Sequence, residues 1–388
     1  MNMKYKLKDI FDLQMGKTPS RNNADYWTDG QYDWVSIADL GSYQKYVEDT
    51  KERISALAVQ ESGIKSVPAN TVIMSFKLSL GKTAITQEPV YTNEAIMAFI
   101  PTEKYAVLPD YFYYLFSAKD WTKGTNRAVM GTTLNKATLG AVSITVPPID
   151  EQRKIAAILD KVSDLIAKRR QQLDKLDEMV KARFVEIFGE PDENPKHWQE
   201  DELSHHLKVI GGYAFKSDGF TDEGIPVLRI GNINSGHFLP VNMVYWPDDL
   251  ALARYKVFPG DLVMSLTGTV GKDDYGNVCI LGADYDEYYL NQRNAKLSIE
   301  RSLNKCYFSE LLKFPRIKKR LTGISRGIRQ ANISNKDILT LRVPMPPIEL
   351  QEQFAAFVEQ TEKTKIIISH SLEKLETLKK ALMQEYFG

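Results

Sequence analysis

The strongest constraint in this sequence is that it repeats itself. Residues 146 to 189 and 345 to 388 superpose without a gap at an offset of 199, and 14 of the 44 positions are identical. An internal repeat decides architecture before any single motif does, because each copy has to fold to the same unit. Pro147, Pro148, Ile149, Gln152, Ala156 and Ala157 answer Pro346, Pro347, Ile348, Gln351, Ala355 and Ala356. Further along, Leu173, Lys175 and Leu176 answer Leu372, Lys374 and Leu375, and both copies close on Phe-Gly. Fainter echoes lie upstream. "VSIADL" (35 to 40) matches "LRIGNI" (228 to 233), Asn93-Glu94 matches Asn291-Gln292, and "LNKATLGAVSI" (134 to 144) matches "ISNKDILTLRV" (333 to 343). Met74-Ser75 with Gly81-Lys82 repeats the spacing of Met264-Ser265 with Gly271-Lys272, which suggests equivalent turns. The chain therefore reads as one plan written twice: domain 1–146, helix 147–189, domain 190–344, helix 345–388.

Periodicity supports the helices. Ile155, Leu159, Val162, Ile166, Leu173, Leu176, Val180 and Ile187 recur at alternating steps of three and four, interrupted by Arg169 and Arg183; that spacing is a coiled-coil seam. The second copy carries Phe354, Val358, Ile368, Leu372, Leu375, Leu382 and Tyr386 in the same register. Thr361, Lys365 and Lys379 weaken it, and flanking Ile366, Ile367 and Leu378 are expected to compensate. Proline before the first turn and glycine after the last mark the boundaries, so each helix spans ~58 Å at ~1.5 Å per residue. The domains read as α+β. "TVIMSF", "AIMAFI", "DLVMSL" and "GNVCIL" look like short strands, and "LPDYFYYLFSAKDW" and "CYFSELLKFPRIKKRL" look helical.

Composition and motifs narrow the function by exclusion. Fifty basic residues balance fifty acidic ones, so nucleic-acid binding needs local clustering. Two cysteines and five scattered histidines show no disulfide framework or zinc spacing. No window approaches the ~18 apolar residues of a membrane span, and no signal-like segment is read at the start, so the expected location is the cytoplasm. "LGKTAI" (80 to 85) lacks the earlier glycine of a phosphate loop, position 76 being Phe, and "GTVGKDD" (268 to 274) lacks the following Ser or Thr. Val146 and Met345 precede the Pro-Pro pairs, where an adenine methyltransferase needs Asn or Asp against a flipped base. "PDENPK" (191 to 196) reads as a linker rather than a nuclease carboxylate cluster.

Charge is lopsided in one place. Residues 313 to 336 carry eight basic side chains and no acidic one. Arg326, Arg329, Gln330 and Asn332 suit base edges, since arginine forks onto guanine while Gln and Asn bridge adenine; Lys318, Lys319 and Arg320 suit phosphates. The equivalent first-copy window is milder, with Lys119, Lys123, Arg127 and Lys136 against Asp120. Other candidate DNA-facing side chains are Lys17, Thr18 and Arg21 in "MGKTPSR", Lys216 in "GGYAFKS", Arg229, Lys77, Lys82, Thr132, Thr133, Thr267 and Lys272.

The doubled "PPI-x-x-Q", each followed by a heptad helix closing on "FG", the two unlike domains before them and the glycine-bearing "MGKTPSR" and "GGYAFKS" turns together resemble the DNA-specificity (S) subunits of Type I restriction-modification systems. The resemblance covers essentially the whole chain. It implies a non-catalytic reader in which two target recognition domains recognise the halves of a split, asymmetric, non-palindromic DNA site. The helices would pair as an antiparallel coiled coil with pseudo-two-fold symmetry, a bar approaching two duplex turns of ~34 Å each. Pairing and docking of two adenine-N6 methyltransferase (M) subunits would fall to Pro147, Pro148, Ile149, Gln152, Ile155, Leu159, Leu173 and Leu176, with Pro346, Pro347, Ile348, Gln351, Phe354, Leu372 and Leu375. Restriction (R) subunits can join through them. S-adenosylmethionine, Mg and ATP would belong to those partners, leaving this chain without a cofactor. Two other classes compete. A protein-binding adaptor is compatible with zero net charge, and a self-sufficient DNA enzyme is opposed by the missing motifs.

Overall fold

The computed structural model describes residues 3–77, 79–122, 134–233, 236–272, 274–323 and 330–388. They form two compact units, residues 1–170 with 370–388 and residues 171–369. Each unit takes in part of both long helices, which run Ile149–Phe188 and Ile348–Phe387. The segments read from sequence at 1–146, 147–189, 190–344 and 345–388 are thus shared out differently in space.

In the first unit an antiparallel sheet has the order Phe11–Met15, Ile96–Pro101, Val72–Ser75, Thr83–Ile85. Beside it Glu52–Ile54, Tyr32–Val35 and Tyr91–Thr92 form a second sheet whose last pairing is parallel. A two-stranded ribbon joins Met3–Lys6 to Ser143–Val146. The second unit repeats this plan. Its first sheet is ordered Leu207–Gly211, Asn294–Ile299, Leu262–Ser265, Val278–Ile280, and its second Val244–Trp246, Ile225–Leu228, Tyr288–Leu290, Lys256–Val257. The ribbon pairs Glu200–Glu202 with Arg342–Pro344.

The apolar runs that marked strands have a packing reason. Val72 and Met74 face one core and Ile73 another, as Leu262 and Met264 do opposite Val263. A strand covered on both faces has no polar side to alternate with. The helices over the sheets fall at Pro109–Ala118, and at Lys305–Lys313 and Pro315–Thr322. Pro315 opens the last of these, since a proline is tolerated in the first helical turn and not inside a helix.

The motif behind the repeat now has a physical account. Gln152 is buried, its Oε1 accepting from the Leu108 amide at 3.0 Å and its Nε2 donating to the Ala106 and Pro147 carbonyls at 3.0 Å each. Gln351 does the same in the second unit, accepting from Asn304 N and donating to the Pro346 carbonyl, both at 2.8 Å. Each glutamine stitches the start of its long helix to the loop leading into its own domain's helix. Ile155 and Leu159, and Phe354 in the other unit, are likewise spent on the domain cores. These side chains are committed internally, which corrects the partner-docking role given to Gln152 and Gln351.

The coiled-coil seam is corrected too. In the second unit it does not hold at Arg183, although Ile187 packs half-buried on the same core. Val180 stays in register, and beyond it the deepest burial shifts by one residue to Phe184 (0% exposed) and Phe188 (3%), where Phe184 meets Tyr307, Phe314 and Phe354 with ring centroids 4.9 to 5.4 Å apart. A seam register holds only while the neighbour is another helix, and here it is a domain core. Ile366, Ile367 and Leu378 are 64%, 71% and 46% exposed and compensate nothing. Leu173, Leu176, Leu372 and Leu375 are half-buried.

Each unit holds its helix segments in opposite sense. In the first, Leu382, Met383, Tyr386 and Phe387 pack on the core containing Ile155 and Leu159, and Arg170 pairs with Glu376 at 2.6 Å. In the second, Phe354 lies against Phe184 and Lys365 pairs with Asp177 at 2.6 Å. Among the described residues no helix is long and apolar enough to cross a membrane, and no group of His, Cys, Asp and Glu could hold a metal.

Candidate nucleic-acid interface

In both units the chain leaves its first sheet strand on a glycine that crosses directly over the end of a parallel strand. Gly212 N donates to the Asn294 carbonyl at 3.1 Å, and Tyr213 N to Leu290 at 2.8 Å. The counterparts are Gly16 N to Ile96 at 3.1 Å and Lys17 N to Thr92 at 2.8 Å. A Cβ on Gly212 would lie 2.2 Å from the Asn291 carbonyl oxygen, and one on Gly16 2.2 Å from that of Thr92. No other residue fits such an approach.

The crossing fixes the segments around it. Asn291 N reaches the Leu228 carbonyl at 3.4 Å, and Asn93 N reaches Val35 at 3.0 Å. After those strands come matched turns, Arg229 N donating to Asn232 Oδ1 at 2.9 Å and Ser36 N to Asp39 Oδ2 at 3.1 Å. The hairpin residues close similarly, Arg293 N on Asn291 Oδ1 at 3.3 Å and Ala95 N on Asn93 Oδ1 at 2.8 Å. The two backbones are copies down to their side-chain caps. The side chains presented on them are not.

In the second unit the crossing borders a cleft of about 620 Å³, lined among others by Phe215, Arg229, Asn242, Asn291, Gln292 and Arg293. Arg229 donates through Nη2 to the Asn242 carbonyl, and its Nε is buried without an acceptor among the described residues. Gln292 and Arg293 are exposed. The Arg293 carbonyl accepts from Leu266 N at 2.8 Å, and the Leu266 carbonyl from Ile333 N at 2.8 Å. Those two bonds bring Thr267–Thr269, paired with Gln330–Asn332, against the same rim. Thr267 and Asn332 therefore stand opposite one another beside Arg293, as does the backbone of Gln330. That strand pair has no described counterpart in the first unit.

In the first unit the same place is internally neutralised. The Thr18 hydroxyl donates to the Glu94 carboxylate and accepts from Asn93 Nδ2 at 3.0 Å. Lys17 donates to the Ser62 carbonyl. Arg21 forks onto Glu52, with Nη2 2.9 Å from Oε2, and lies 3.7 Å over the Trp27 ring. Hydrogen bonding within that pair holds the Arg21 guanidinium above its ordinary pKa and the Glu52 carboxyl below the ordinary carboxylate value.

Several expected contacts fall elsewhere. Lys318, assigned to phosphate, is 8% exposed with Nζ on Asn277 Oδ1 at 2.6 Å, because it lies on the face of its helix that covers the core with Ile317 and Leu321. Lys319 is exposed, while Arg320 leans on the Arg342 carbonyl at 3.4 Å and toward Asp192 at 3.8 Å. Lys272 is not the counterpart of Lys82. Gly81 (φ 83°) donates to the Ser75 carbonyl and Ser75 to that of Lys82; the residues doing this in the second unit are Gly276 (φ 69°) and Asn277 around Ser265. The loop there is five residues longer, and Lys272 stands exposed within the insertion. Lys82, Lys136 and Lys216 are exposed and Lys77 half-buried. Arg127, Thr132, Thr133, Arg326 and Arg329 lie outside the described residues, as does the side chain of Gln330. Sequence reasoning passed over Glu94, Asn291, Gln292 and Arg293 as contacts. The shared Asn-Glu and Asn-Gln echo was the signal that could have found them.

The sequence model of the Type I restriction modification DNA specificity domain matches residues 2–177 and again 195–377. The chain belongs to that family. Membership in this specificity family makes it a recognition component and not itself an enzyme. One relative, the Type I restriction enzyme MjaIX specificity subunit of Methanocaldococcus jannaschii, is 30% identical over 273 residues, covering 65% of this chain and 62% of that protein. The alignment thus spans less than two thirds of that relative's length. The MjaVIII specificity subunit of the same organism is 24% identical over 401 residues, covering 97% of this chain and 90% of its own. Among solved structures, a Type I restriction-modification S subunit from M. genitalium shares the fold with a TM-score of 0.58 at 14% identity, covering 100% of this chain and 96% of that one.

Proposed function

We propose that this chain is the DNA-reading subunit of a cytoplasmic Type I restriction-modification complex and recognises a bipartite, asymmetric target. Each target recognition domain, 1–146 and 190–344, reads one half. The observation that carries this is the glycine crossing, built identically twice and dressed with different side chains, which is what two different half-sites require. Antiparallel pairing of the long helices along their whole length would hold the two readers apart, and the opposite sense of the helix segments within each unit supports it. Two methyltransferase subunits, and restriction subunits with them, would dock on the helices' outer faces. Ile158 and Leu165, exposed seven residues apart on the first long helix, and exposed Ile366 and Ile367 on the second, suit such partners. Cofactors stay with those partners.

The test is a domain exchange. Residues 1–146 are replaced by those of a relative, the chain is expressed with its methyltransferase, and adenine methylation is mapped by sequencing. One half of the methylated sequence should change and the other stay. A change in both halves, or in neither, overturns the modular reading.

A further inference from the structure

We infer that the loop Asn291–Arg293 is the base-reading element of the second unit, with Gln292 and Arg293 addressing the edges of adjacent base pairs in the major groove. This rests on the DNA-reading function proposed above. Three features of the loop set it apart from the other basic surfaces.

Its backbone is pinned on every side. Gln292 N donates to the Tyr213 carbonyl at 2.8 Å, Arg293 N to Asn291 Oδ1 at 3.3 Å, and the Arg293 carbonyl accepts from Leu266 N at 2.8 Å. Both side chains are exposed and make no hydrogen bond or ion pair among the described residues. Presenting them to DNA therefore breaks nothing and orders little backbone, which is how a site gains specificity rather than mere attraction. Their chemistry also fits: guanidinium forks onto guanine O6 and N7, and the glutamine amide bridges adenine N6 and N7.

The cleft behind the loop adds a positioning group. Arg229, with one buried donor unmatched, stands ready to turn a donor outward to DNA, since an unmatched buried N–H is itself unfavourable. At the matching positions the first unit carries Glu94, an exposed acceptor suited to the cytosine amino group, and Ala95, which is buried and offers no contact. One backbone position thus gives the two half-sites opposite hydrogen-bonding demands.

The experiment uses the assembled complex with its methyltransferase subunits. Binding is measured to the cognate duplex and to a set in which each base pair of both halves is changed singly, for wild type, Gln292→Ala, Arg293→Ala and Lys208→Ala, an exposed lysine on a neighbouring strand as control. Each loop variant should lose about 5- to 150-fold of discrimination at one or two adjacent base pairs of one half only, with the other half unchanged. A uniform fall across all duplexes would make the residues phosphate contacts, and unchanged discrimination would remove them from the interface; either overturns the inference. Should a variant assemble poorly, Arg293→Lys keeps the charge and loses the fork, so loss of guanine preference in that complex decides the same question. Failure of the wild-type complex to discriminate any base pair would instead defeat the proposed function.

Discussion

The two units build the same backbone crossing and surround it with different charge. Around Gly16 the first unit sets Thr18 on Glu94, Lys17 on the Ser62 carbonyl and Arg21 on Glu52, so that Arg21 is answered by the unit's own carboxylate. Around Gly212 the second unit places Ala214, Gln292 and Arg293, with no such answer among the described residues. Main-chain bonds and glycine sterics hold the scaffold in both, leaving the side chains at its rim free to vary without cost to folding. Recognition can then diverge between copies while architecture does not. Beside its crossing the first unit ties Lys17, Thr18 and Arg21 to internal partners, whereas Gln292 and Arg293 of the second have none among the described residues.

The largest effect on this comparison should come from the shared crossing. Gly212→Ala and Gly16→Ala each push a methyl to 2.2 Å from a backbone carbonyl, and each should destabilise its unit by about 3 kcal/mol. Urea unfolding followed by tryptophan fluorescence would show it; a normal transition in either variant would mean that the crossing is not the common scaffold.

Next comes the glutamine stitch. Gln152 makes three hydrogen bonds in the first unit and Gln351 two in the second. Gln→Ala at either position strands buried main-chain groups at about 1–3 kcal/mol, and the loss should be greater at 152. Equal melting temperatures for the two variants would erase that difference between copies.

The smallest effect concerns two seam lysines. Lys365 in the second unit loses basicity to burial but regains more from Asp177 and Glu362, ending above its ordinary value. Lys379 in the first is held below its ordinary value, chiefly by burial and then by Arg170. A lysine with a depressed folded pKa opposes folding while it is charged, so wild-type stability should rise with pH from that depressed value up to the ordinary 10.5. Lys379→Met should stabilise at pH 7 by less than about 1 kcal/mol at this half-buried site and abolish that rise. Lys365→Met should destabilise by a similar amount. Thermal melts between pH 7 and 10 would separate them, and a Lys379→Met variant less stable than wild type would count against the assignment.

What could be read before any coordinates was what is written locally or written twice. The heptads of the long helices, the apolar runs of the central strands and the Pro-Pro-Ile boundaries depend on neighbours in sequence, so periodicity exposes them. The seam was lost at Phe184 because its neighbour there is a domain core, which no heptad encodes. The Gly81 and Gly271 pairing failed because a five-residue insertion happens to contain another Gly-Lys. Lys318 looked available because charge counts ignore which face of a helix is covered.

By itself the sequence determined that this protein is a duplicated α+β chain with two long helices, since duplication and periodicity are properties of residue order. Only the tertiary structure decided which residues share a rim. Asn291–Arg293, Arg229, Thr267 and Asn332 come from four separate stretches, and what joins them is main-chain hydrogen bonding across a glycine too small to keep those strands apart.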